Sequence, residues 1–242
     1  MKRVQSSLYA AAGFFIVATA PAEAQALYPD GGVGLSERAM QLFLTVTILS
    51  LAPGIAMMAT CLPFIVIALS ILRQGLGLQQ APPNMLIMGL AMFLTFFVME
   101  PVFKEAWQNG VEPLAAREIT EREAFDRTLK PFAAFMSGRV DATAIATLAQ
   151  ARGAPHDTSL DQPALSLLVP AFVLSEIQRA FEVGFVILLP FLIIDLLVAS
   201  VLMAMGMVMV PPSLVSMPFK LCFFIMTNGW VAVSGALVRS YT

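Results

Sequence analysis

No charged residue interrupts the chain between Arg38 and Arg73, and only Asp195 interrupts it between Glu182 and Lys220. Stretches of this length cannot supply the polar surface of a soluble domain. They must be surrounded by lipid or by other apolar protein. The whole chain agrees: 58% of its residues are hydrophobic, 12% are charged and the mean hydropathy is +0.81. A membrane protein is the class that fits. The formal net charge of −2 lies too close to neutral to indicate nucleic acid or a polybasic lipid contact.

Lys2 and Arg3 precede an apolar run from Leu8 to Ala20, and Ala22-Glu23-Ala24 carries the small-x-small pattern that signal peptidase reads. Residues 1–24 are expected to be a signal peptide, so that the mature chain begins outside the cytoplasm. An all-α fold is then expected in three parts: a first apolar helical hairpin over 25–103, a polar helical insert over 104–167 on the periplasmic side, and a second apolar hairpin over 168–242. The insert holds more than half of the charged residues.

As one helix, the stretch from Arg38 to Arg73 would be about 50 Å long against a hydrocarbon core of about 30 Å. Pro53-Gly54 and Pro63 are the expected breaks. Asn84 to Met99, bounded by Pro83 and Glu100, covers only about 24 Å. One element too long and the next too short suggest helices packed on other chains. In the insert, "EREAFDRTLKPFAAFM" sets Ala124, Leu129, Phe132, Phe135 and Met136 at near-helical intervals, with Pro131 expected to bend or divide the helix.

Candidate chemistry is sparse. The only histidine, His156, lies in a turn-rich loop without partners. Cys61 and Cys222 have no ligand spacing and read as buried small apolar side chains, with a bridge between them left open. No H-E-x-x-H motif and no serine with a base is present, so neither an enzyme nor a cofactor is expected.

The last apolar part is more informative. Glu176, Arg179 and Glu182 fall at i, i+3 and i+6, Asp195 and Lys220 lie deep in apolar sequence, and Pro190 offers a further break. Ionisable groups at membrane depth face a partner, a cavity or a neighbouring subunit. Arg179 and Asp195 are about 160° apart on a continuous helix and cannot pair. With the hairpin tip placed at Pro211-Pro212, Lys220 falls about 10 Å along the axis from Asp195 and further from Glu176. Pairing between copies is therefore expected, Lys220 of one meeting Glu176 or Asp195 of the next; a lysine that snorkels to an interface is the alternative.

"FLIIDLLVASVLMAMGMVMVPP" followed by "MPFKLCFFIMTNGW" resembles the FliP family of flagellar type III export gates, whose injectisome relatives are called SctR. The likeness extends to "TCLPFIVIALSILRQGLGLQQAPPNMLIMGLAMFLTFFVMEPVF" in the first half and is loosest in the insert. The resemblance implies a non-enzymatic, multi-pass protein of the bacterial inner membrane within the flagellar basal body. Its copies would form a ring, a pentamer in the family, with the partner subunits FliQ and FliR, alongside FlhA and FlhB, and unfolded export substrates would pass through. The gate core would lie partly on the periplasmic side.

The family treats its methionine loop as a gasket. Met203, Met205, Met207 and Met209 match it here, although Val208 interrupts the run. At 200° per step the four methionines share no helical face, and Gly206 with Pro211-Pro212 favours a turn. Flexible thioethers repack cheaply around different neighbours. The rival reading is a proton-coupled secondary transporter with broken helices at Pro53 or Pro190 and a proton-bearing Asp195; that class normally shows repeated halves, and the two apolar parts here do not resemble each other.

Overall fold

The computed structural model describes residues 35–78, 81–153, 164–207 and 209–241, and its described residues form helices without a strand. The expected signal peptide and His156 lie outside the described residues. Contacts divide the chain into residues 1–51 and residues 52–242.

Helix α1 runs Leu35–Ala59 and passes through Pro53-Gly54 without a break. The break falls instead at Thr60-Cys61, and Pro63 stands in the first turn of α2 (Leu62–Gly75). There its missing N–H would have had no helical partner in any case. Helix α3 (Asn84–Ala106) is longer than the sequence suggested, because it continues through Glu100 and Pro101. A π-helical turn at Trp107–Val111 carries it into α4 (Glu112–Ala115), a run of 32 residues. At about 48 Å it exceeds the hydrocarbon thickness, so the expected shortfall is reversed.

The insert supplies α5 (Glu121–Ser137) and α6 (Ala142–Ala151). Thr120 caps α5 by accepting from the Glu123 amide, and Asp141 caps α6 by accepting from the amide and hydroxyl of Thr143. Those bonds hold the Asp141 carboxyl below its usual range. Pro131 does not divide α5. The π turn brings Gly110 onto α5, where a methyl would lie 2.9 Å from the Ala124 carbonyl and closer still to the Thr128 hydroxyl.

Helix α7 (Leu165–Ala204) is a rod of 40 residues that Pro170 and Pro190 do not interrupt. About 60 Å long, it is twice the hydrocarbon thickness. Helices α8 (Pro212–Met226) and α9 (Gly229–Arg239) follow, bent by 64° at a break where Asn228 is left-handed. Among the described residues two runs are long and apolar enough to cross a membrane, the one from α3 through α4 and α7, and the bent pair would make a third.

The core lies between α2 and α7. Phe64, Ile65, Ala68, Leu69 and Leu72 are buried there, and Ala180 and Phe191 of α7 belong to the same cluster. Gly184 lets the helices close up, since a methyl on it would lie 2.4 Å from Ile71 Cδ1. Two smaller clusters hold the insert to the first turns of α7: Met136 with Leu168 and Phe172, and Ile145 with Leu167 and Ala171.

Candidate functional site

The α7–α8 connection carries the methionines. Helix α7 ends where Gly206 adopts φ +73°, with the Gly206 amide donating to the Met203 carbonyl and the Met207 amide to the Leu202 carbonyl. This paired closure satisfies the last carbonyls of the helix and needs a left-handed residue, which glycine adopts without a Cβ penalty. Met203 therefore belongs to α7, Met205 caps it, and Met207 and Met209 stand in the loop before Pro211 caps α8. All four side chains are exposed, Met209 at 98%. The alternation is thus a helix end followed by a short loop, and none of the four is packed core.

Behind the loop lies a polar clamp. Lys220 Nζ donates to Asp195 Oδ2 at 2.6 Å and to the Gly75 carbonyl at 3.1 Å, while the buried Ser216 hydroxyl donates to Asp195 Oδ1. Lys220 is buried, and the Asp195 side chain is about one-third exposed. The pairing corrects the expectation that Lys220 must look to another copy. The turn spans residues 205–211 and ends at Pro211-Pro212 instead of being centred there. Asp195 then lies about 13 Å back along α7 and Lys220 about 12 Å on along α8, at matching depth. Gly75 ends α2, so its carbonyl has no helical acceptor role left to fill. It reaches α7 because a methyl there would lie 2.5 Å from Leu188 Cδ2.

A second polar node lies toward the other end of α7, about 28 Å from Asp195 along the helix. Glu176 is fully buried. Arg139 Nε donates to its Oε1 at 3.0 Å, Arg179 Nη1 lies 3.8 Å from the same oxygen, and the Tyr241 hydroxyl donates to Oε2. Arg139 also donates to the Ser240 carbonyl at 2.9 Å and stands 3.7 Å from the centroid of the Tyr241 ring. Burial first, and then the Glu176 charge, hold the Tyr241 phenol protonated and hence a donor. Glu182 points outward to Gln178. So Glu176, like Lys220, finds its partners within the chain. Arg139 and Tyr241 were not singled out from the sequence.

Cys61 is buried and Cys222 exposed, and both thiols are free, so no bridge joins them. The reading as buried apolar groups holds for Cys61 alone. Among the described residues no cluster of histidine, cysteine, aspartate or glutamate could hold a metal ion.

The model of the FliP family matches residues 45–237, which takes in the loop, the clamp and the Arg139 and Glu176 side of the second node. The flagellar biosynthetic protein FliP of Agrobacterium fabrum is 48% identical over 200 residues, covering 81% of this chain and 80% of that protein. Its counterpart in Caulobacter vibrioides is 44% identical over 210 residues, 87% of this chain and 79% of that one. The counterpart in Aquifex aeolicus is 38% identical over 244 residues and the full length of both. With the long apolar helices, these matches establish that the chain is a membrane protein belonging to the FliP family of flagellar biosynthetic proteins.

Proposed function

We propose that the chain is a structural pore subunit of the flagellar type III export gate in the bacterial inner membrane. Copies of it form a ring with FliQ and FliR, unfolded flagellar proteins pass through, and the methionine loop closes the passage. The observation that carries this reading is the pairing of an exposed methionine loop with a bonded base: four exposed methionines stand on a hairpin whose arms are joined by Lys220, Asp195 and Gly75. Unbranched thioethers on a fixed frame can mould to one another and still yield to a polypeptide of any sequence. The length of α7 supports the same reading, because half of an apolar rod of about 60 Å must lie against protein. Asp195 is engaged by Lys220 and Ser216, which suits a structural pair better than a proton carrier.

Replacing Met207 and Met209 together with alanine is expected to open a leak to small ions while leaving assembly intact. Conductance of the purified assembly in planar bilayers would read it. An assembled double variant as tight as the parent would contradict closure by this loop.

A further inference from the structure

We propose that Ser240 and Tyr241, which follow α9, form a latch that couples docking of the charged insert to seating of the bent α8–α9 pair. Tyr241 touches three separate parts of the fold. Its hydroxyl donates to Glu176 of α7, its ring stacks on Phe135 of α5 at 6.2 Å and 15°, and it meets Phe64 of α2 edge-on at 5.3 Å. The guanidinium of Arg139, two residues beyond the end of α5, lies 3.7 Å from the ring centroid and is tied to the Ser240 carbonyl. The insert is held as well by the two small apolar clusters, by the Asp141 amide, which donates to Ser175 Oγ at 2.9 Å, by the Phe103–Phe132 ring contact at 5.8 Å and by the close approach of Gly110 to α5.

Withdrawing the latch would strip Glu176, which has no access to water, of its hydroxyl donor, and would strip Arg139 of both its ring and its carbonyl. A buried polar network missing one member loses more than that member's own bond, because the groups left behind stay desolvated. The latch reaches Glu176 only when α8 and α9 are packed, and α8 begins at the methionine loop. Displacement of the loop-bearing hairpin is therefore felt by the insert about 40 Å away along α7. Nothing in this coupling requires the loop to close a pore, so the two readings fail independently.

The test is hydrogen exchange followed by mass spectrometry on the full chain in detergent. Tyr241→Phe removes one oxygen and keeps the ring, Tyr241→Leu removes both contacts, and Arg139→Lys keeps the charge on Glu176 while losing the ring and carbonyl contacts. Amides of residues 121–151 are expected to exchange about tenfold faster in the phenylalanine and lysine variants and faster still in the leucine variant, with the second half of α7 unchanged in all three. Unchanged exchange in the insert, or equal loosening of every helix, would overturn the latch.

Discussion

Changing Lys220 to methionine is expected to cost about 3 kcal/mol of stability, because the change leaves the Asp195 carboxylate facing α8 without its cation. The figure is the lower end of the range for broken buried pairs, as Asp195 keeps about one-third of its side-chain surface. The Gly75 carbonyl loses its donor as well, so α2 and α8 should both loosen. Adding Asp195→Leu should recover most of the loss, since apolar groups replacing both members of a buried pair are close to neutral. Exchanging the charges within one chain, Asp195→Lys with Lys220→Glu, should also recover part of it. Unfolding midpoints of the detergent-solubilised chain would report each variant. A Lys220→Met chain as stable as the parent would show that the clamp does not hold the hairpin.

The second large effect is expected at Glu176. Glu176→Ala removes the carboxylate paired with Arg139, whose side chain is 17% exposed, and leaves the Tyr241 hydroxyl without its acceptor. Loss of one partner from such a site costs about 3 to 5 kcal/mol. Glu176→Gln keeps an acceptor for the hydroxyl and discards only the charge, so it should fall between the alanine variant and the parent. Equal midpoints for the glutamine and alanine variants would mean that charge alone matters and that the hydroxyl contributes nothing.

Much of this was legible in the sequence because it depends on local pattern. The apolar stretches announced long helices, and the face of Ala124, Leu129, Phe132, Phe135 and Met136 announced α5. Gly206 announced the end of α7, which its left-handed backbone provides. Prolines misled in one direction. Pro53, Pro131 and Pro190 were expected to break or bend the chain and all lie inside helices, where the loss of a single backbone bond did not end the surrounding helix.

Register was the harder quantity. Placing the turn a few residues too late separated Asp195 from Lys220 by two helical turns on paper, and so turned an intrachain pair into an expected contact between copies. The closure at Gly206, with the Met207 amide bonded to the Leu202 carbonyl, settles where the turn begins. The Glu176 node was beyond local pattern altogether. Arg139 is 37 residues away and Tyr241 65, with no periodicity connecting them. The one available signal was the demand of a carboxylate in apolar sequence for a cation, and Arg179 at i+3 answers it only at 3.8 Å.

The proposed pore requires that these loops meet around a common axis and close it. An image of the purified assembly at side-chain resolution tests that most directly. The expected image shows a narrow constriction formed by Met205, Met207 and Met209 of successive copies, with the Lys220–Asp195 clamps behind it and the inserts at the far end of α7. Loops that face lipid on the outside of the assembly, or an axis lined by other segments, would contradict it.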